Sequence, residues 1–254
     1  MPDEGKYLYC IIEESSHRSF GPIGIGGRGD EVHTLCFRDL AAVISSTPMT
    51  KYVISRDNLM THEKVIEEVM KDYTVLPVRF CTIATSVDEV RSLLMKRYQE
   101  FKNLLRSMDN KIELGIKAFW LNMDVIFKEI GASDTEVKIV KEKLQKKNKE
   151  PSLDERITLG EKVKKALEKK REAEAEEIIH ILKPKSIDLR QNETVGDNMV
   201  LNSAFLVDRM REIEFDDLAD NLTEKYKDRL QFKYVGPTPP FNFVNLVIKW
   251  GSEE

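Results

Sequence analysis

The feature that most limits what this chain can fold into is its C-terminal run, Val235-Gly236-Pro237-Thr238-Pro239-Pro240-Phe241-Asn242-Phe243-Val244, continuing to Trp250. Proline has no backbone N–H and holds φ near about −65°. Pro237, Pro239 and Pro240 therefore exclude a helix and a central strand, and leave an extended bend. Behind the bend, Val244, Leu246, Ile248 and Trp250 fall on alternate positions, the period of a buried strand. A stiff corner that carries aromatic rings loses little entropy when it is bound. Gly236, Pro237, Pro239, Pro240, Phe241, Asn242 and Phe243 are accordingly candidate partner-binding residues.

The rest of the chain is long enough to surround that corner with a real core. It has 254 residues, 41% hydrophobic and 33% charged, with a formal net charge of −4. This describes a globular protein with a highly charged surface. The acidic balance gives no support to nucleic-acid binding through overall basicity. No stretch resembles a secretory signal or a membrane span, and a cytoplasmic protein with no membrane partner is expected. Cys10, Cys36 and Cys81 are odd in number and widely spaced, as reduced thiols would be. The scattered histidines 17, 33, 62 and 180 supply no metal cluster, and no metal or cofactor is expected.

In chain order, Lys6 to Glu13 is rich in aromatic and β-branched residues and reads as a strand. The loop from Gly21 to Gly29 contains a literal GxGxxG at Gly24, Gly26 and Gly29. A dinucleotide site needs a helix directly behind that motif, whereas Val32 to Phe37 is a strand pattern, so the expectation is a mobile connection. Val32 to Phe37 and Ala41 to Ser45 are predicted to pair across Arg38-Asp39. A helix begins at Ser55, and its apolar stripe includes His62, which reads as a hydrogen-bonded core histidine. The pair His62-Glu63 lacks the second histidine of a zinc-protease motif, since Ile66 stands in its place. Thr74 to Ala84 is a strand that Pro77 confines to an edge or a bulge. Within it, Arg79 needs a partner for its charge, and Arg79 and Phe80 are further candidates for partner contact.

Three capping boxes punctuate helices, at Ser86–Glu89, Ser133–Glu136 and Ser152–Glu155. The first opens a helix that ends near residue 109. A second unit starts at 111 with a strand whose even positions, Ile112 to Trp120, face a core. Helices are predicted at about 134–148 and 153–182. Their apolar stripes are thin and their charges dense, as in a helical hairpin held by mixed-sign i,i+4 pairs. Residues 186–198 read as a loop, 199–207 as a strand, the stretch around Phe215 to Tyr226 as a helix and 231–235 as a strand. These elements make an α+β chain with domains at 1–110 and 111–254 and a helical insertion at about 133–183.

Several stretches carry a family resemblance in the same order along the chain. They are Tyr7-Leu8-Tyr9, His62 to Glu67, Leu76-Pro77-Val78-Arg79-Phe80 with Thr82, Glu113 to Lys117 with Trp120, Asn202 with Ala204 to Val207, and the GPTPPFNFV run. Together they resemble the gas vesicle GvpF/GvpL family. Cys81 stands where that family commonly has glycine, and Phe241 where it has tyrosine. The resemblance implies a ferredoxin-like second domain with an inserted helical region. It also implies a non-enzymatic accessory or minor structural protein of gas vesicle assembly, located in the cytoplasm and gas vesicle. The implied partners are the hydrophobic shell protein GvpA and other gas vesicle accessory proteins. Covering the shell protein's apolar surface would limit its aggregation during nucleation. Two other readings compete. A cysteine-dependent enzyme would use Cys81 as nucleophile and His62 as base. An RNA-binding ferredoxin-like module would stack bases on its sheet, but the RNP1-like run it needs is absent.

Overall fold

The computed structural model describes residues 4–146, 150, 152–248 and 250. They fall into two units. The first holds the chain up to 113, residues 208–210 and the chain from 236 onward; the second holds 114–207 and 211–235. The chain first passes from one unit to the other between Glu113 and Leu114. The segment from Gly236 packs with the first unit, whereas the sequence placed all of 111–254 in the second.

The first unit is built on β1 (Glu4–Glu13), β2 (Ser19–Gly21), β3 (Val32–Phe37) and β4 (Leu40–Pro48), then α1 (Arg56–Met70), β5 (Leu76–Pro77), β6 (Ile83–Ala84), α2 (Val87–Lys96) and α3 (Tyr98–Met108). The strands run in the order β2-β3-β4-β1-β5, and β6 also pairs with β1. β1 is buried on both faces. Tyr7, Tyr9, Cys10 and Ile12 pack with Val65, Ile66 and Val69 of α1. Leu8 and Ile11 pack with Val90 and Leu94 of α2 and with Phe101 and Leu105 of α3. The alternation slips by one residue at Tyr9-Cys10, where the pairing with β4 shifts register between Leu8 and Cys10. A bulge there puts two successive side chains on one face.

Local signals account for most boundaries. The Ser55 hydroxyl accepts from the Asn58 N–H and caps α1, and that of Ser86 accepts from Glu89 and caps α2. The Glu89 carboxylate turns to the N–H and hydroxyl of Thr85, so this box is only half reciprocal. The expected single helix after Ser86 is two, broken at Arg97 (φ −105°, ψ 19°). The expected strand from 74 to 84 survives only as β5 and β6, separated by a tight turn. Pro77 does lie at the sheet edge, where no ladder bond is lost. The glycine-rich loop is pinned rather than mobile. Ile25 is fully buried and donates its N–H to the Tyr9 hydroxyl at 2.8 Å. Gly26 (φ 86°) lies against Tyr52, where a Cβ would approach the hydroxyl to 2.8 Å.

The second unit contains β7 (Lys111–Trp120), α4 (Met123–Ser133), α5 (Thr135–Lys146), α6 (Leu153–Leu182), β8 (Asp188–Gln191), β9 (Met199–Asp208), α7 (Glu212–Lys225) and β10 (Leu230–Thr238). Its sheet runs β10-β7-β9-β8. The even positions of β7 are buried as expected, and so is Glu113. The capping residue of α5 is Asp134, which accepts from Glu136 and Val137 at 3.0 Å each, not the expected Ser133. Ser133 still lies in α4 and donates to the Glu129 carbonyl. The expected end of that helix at 148 lies outside the described residues. Ser152 and Glu155 form the full reciprocal box. The predicted loop 186–198 contains β8, which pairs antiparallel with β9.

The charged helices are fastened at their base. Arg229 makes a two-pronged pair with Glu129, at 2.9 Å on both prongs, and another with Glu174 at 2.6 and 3.1 Å. Trp120 Nε1 donates to Glu174, and Lys170 closes on Glu129 at 2.8 Å. Further along the hairpin, Lys162 meets Glu136 at 2.6 Å.

Candidate functional site

The C-terminal bend is held by one residue of β7. Asn242 donates its N–H to Glu113 Oε2 at 2.8 Å and its side-chain amide to Oε1 at 2.5 Å, and Thr238 Oγ1 donates to the Glu113 carbonyl. Burial raises the Glu113 pKa against these bonds. Pro239 and Pro240 are buried. The N–H of Phe241 returns to the Pro239 carbonyl, and those of Phe243 and Val244 return to the Pro240 carbonyl. Gly236, Pro237, Phe241 and Asn242 are exposed, Phe241 by 37%.

Beyond the bend the chain is extended without forming a regular strand. Val244 and Leu246 nonetheless enter the α2–α3 side of the core, with Ile248 and Trp250 against its margin. The predicted alternation therefore holds while the predicted ladder does not; Lys249 lies outside the described residues. Leu246 makes a parallel bridge with Val78. Next to it, Arg79 Nη2 donates to Asn245 Oδ1 at 2.8 Å. The partner of Arg79 is thus the carbonyl oxygen of an exposed side-chain amide. Asn245 and Leu246, just past the candidate bend, thus meet Arg79 and Val78, more than 150 residues away in sequence.

The turn after Arg79 leads to the opposite face of the sheet. Phe80 is half-buried, edge-on to Tyr7 and His62. Cys81 adopts φ 64°, the left-handed region that glycine prefers. Its N–H donates to the Tyr7 hydroxyl at 2.8 Å, and its Sγ accepts from the Tyr52 N–H at 3.4 Å. That contact sets Val53 and Ile54, exposed by 75% and 78%, beside the same turn.

His62 completes this network. Its Nε2 lies 3.1 Å from the Val78 carbonyl and its Nδ1 lies 3.1 Å from the Tyr7 hydroxyl. A carbonyl only accepts, so Nε2 carries the hydrogen. Burial lowers the His62 pKa to about 4, so the ring is neutral and Nδ1 accepts from Tyr7. Burial also pushes the Tyr7 phenol well up. Both ring nitrogens are therefore engaged, and neither is available to deprotonate the Cys81 thiol. The cysteine-enzyme reading is not favoured. Sequence reasoning missed Tyr7 and Glu113. A carboxylate inside the alternating strand Ile112 to Trp120 was the signal that could have revealed Glu113.

Similarity across the whole chain agrees with this architecture. The profile of the family described as Gas vesicle synthesis protein GvpL/GvpF matches residues 5–245. The chain belongs to the GvpL/GvpF family. Gas vesicle protein F of a Streptomyces species is 30% identical over 241 residues, covering 94% of this chain and 98% of that protein. Gas vesicle protein F of Dolichospermum flosaquae is 27% identical, covering 94% and 97%. The crystal structure of GvpF from Microcystis aeruginosa superimposes with a TM-score of 0.79 at 25% identity, covering 95% and 99%. That of GvpF from an Anabaena species has a TM-score of 0.81 at 24% identity, covering 96% and 100%. A gas vesicle-related role follows for this GvpL/GvpF member. Its mixed helix-and-sheet fold matches those GvpF structures, and none of its described helices is long and apolar enough to cross a membrane.

Proposed function

We propose that this chain is a non-enzymatic accessory or minor structural protein of gas vesicle assembly that binds the apolar shell protein GvpA and limits its aggregation during nucleation. The observation that carries the reading is the meeting of Arg79 with Asn245 beside the 78–82 turn, together with the exposed pair Val53-Ile54 next to that turn. Exposed apolar groups rimmed by polar ones are a common mark of a protein interaction site. In this reading Arg79, Phe80, Phe241 and Phe243 touch the partner. Gly236, Pro237, Pro239, Pro240 and Asn242 hold the bend in shape. Other gas vesicle accessory proteins are further partners, and the protein works in the cytoplasm and at the vesicle.

A ferredoxin-like reading of the second unit is supported by the succession β7, helices, β8, β9, α7, β10 and by the order β10-β7-β9-β8. The expected division into two domains is retained with the C-terminal bend assigned to the first.

The test is capture of purified shell protein under assembly conditions. The double variant Val53→Asp, Ile54→Asp is expected to retain its melting temperature and lose at least tenfold in shell-protein affinity. Unchanged capture would remove this surface from the proposal. Failure of the wild-type chain to bind the shell protein at all would remove the proposal itself.

A further inference from the structure

The Val53-Ile54 surface is positively charged in a chain whose overall balance is acidic, with 40 lysines and arginines against 44 aspartates and glutamates. Lys51 and Arg56 lie two residues to either side of the apolar pair, and both are exposed. Arg79 is exposed at the adjoining turn, which Cys81 ties to the Tyr52 N–H. Asp57 is the one carboxylate of the segment 49–60. Among the described residues no carboxylate pairs with Lys51, Arg56 or Arg79; Arg79 meets the neutral oxygen of Asn245 instead. By contrast, Arg18, Arg28, Lys71, Arg91 and Arg97 of the same unit each have a carboxylate within 3.5 Å.

These side chains narrow what fits. Val53 and Ile54 are β-branched and stiff at χ1, so covering them costs little freedom. Leu59, one turn into α1, is exposed as well. Apolar contact at the centre with charge at the rim is the usual anatomy of a protein interface. A cationic partner would set like charges against one another, and a purely apolar one would strip water from three cations without replacing it. Carboxylates on the partner satisfy the cations and leave the apolar contact intact. A lipid surface is a poorer match, because it takes the whole apolar face of an amphipathic helix, and residues 51–55 are not helical.

We infer that the Val53-Ile54 surface takes an acidic segment of its protein partner, whose carboxylates meet Lys51, Arg56 and Arg79 around an apolar contact. The inference rests on the shell-protein reading above and adds the chemistry of the segment that docks.

Charges at the rim of an interface act mainly on the rate of association and its salt dependence. Both are read from the binding of purified shell protein to the immobilised full chain. Raising sodium chloride from about 0.05 M to about 0.5 M shortens the reach of these charges and is expected to slow the wild-type association roughly tenfold, a measurement that needs no variant. Lys51→Glu with Arg56→Glu is expected to slow association roughly tenfold at the lower salt and to remove most of the salt dependence. Asp57→Asn is expected to quicken it about threefold. Lys143→Glu with Lys146→Glu, on exposed positions of α5, makes the same change in net charge and is expected to leave the rate within about twofold. No binding by the wild-type chain overturns the shell-protein reading and this inference with it. Binding that responds neither to salt nor to the Lys51 and Arg56 reversal overturns this inference alone. An equal loss in the α5 variant does so too, since net charge would then account for the effect. Tighter binding to phosphatidylglycerol vesicles than to shell protein, lost in the same reversal, overturns it in favour of an anionic lipid surface.

Discussion

At the scale of single residues, His62 and Cys81 show how far burial overrides a suggestive residue type. A histidine and a cysteine near each other in sequence invite a catalytic reading. The fold instead uses His62 as a neutral link between Tyr7 and Val78. Its pKa falls from 6.5 to about 4. Below pH 6.5 the unfolded chain takes up a proton that the folded one refuses, so this contribution to stability is complete above 6.5 and declines as pH falls towards 4. The shift corresponds to roughly 3 kcal/mol over that window. Urea unfolding at several pH values is expected to show a flatter slope between pH 6.5 and 4 for His62→Gln than for wild type. Cys81 carries the cost of a left-handed backbone, and Cys81→Gly is expected to raise stability by about 1 kcal/mol in the same measurement. The His62 stripe position was legible in the sequence because helical periodicity is local. Its partners were not, since Tyr7 lies 55 residues away and only the packing of α1 on β1 brings them together.

At the scale of elements, the helices follow their local signals and the irregular strands do not. Ser55, Ser86 and Ser152 each cap the helix that the sequence assigned to them, because a cap and its amide lie within three residues. The same logic explains the miss at Ser133, where the neighbouring Asp134 competes for the same amides. β8 escaped detection because its polar residues, Asp188 to Gln191, draw their order from pairing with β9 rather than from their own composition. The charged hairpin was readable as such, but its fastening through Arg229 was not, since Glu129 lies 100 residues away and Glu174 55. Arg229→Ala leaves Glu129 and Glu174 with Lys170 as their remaining cation and is expected to cost about 2 kcal/mol, read by thermal unfolding. Its partner Glu129, held down to about 2 by Arg229, is expected to titrate higher in the variant, as measured by carboxyl NMR.

At the scale of the whole molecule, the C-terminal segment belongs to the unit at the other end of the sequence. Leu246 is almost fully buried in the core formed by β1, α2 and α3. Leu246→Ala is expected to cost about 3 kcal/mol. Hydrogen exchange should show the loss in the amides of β1 and β4, with those of β7 and β9 in the second unit little changed. Equal loss in both units would show that they unfold together. The amino-acid sequence alone determined the helix starts at Ser55, Ser86 and Ser152, the stiffness of the proline bend, the alternation behind it and the family. Each of these depends on residues within a few positions of one another or on their order along the chain. Only the tertiary structure decided which core receives Val244 and Leu246, that Arg79 meets Asn245, and that Arg229 joins Glu129 to Glu174. Those outcomes follow from the burial of apolar surface across the entire chain, and no short stretch contains the groups that compete for it.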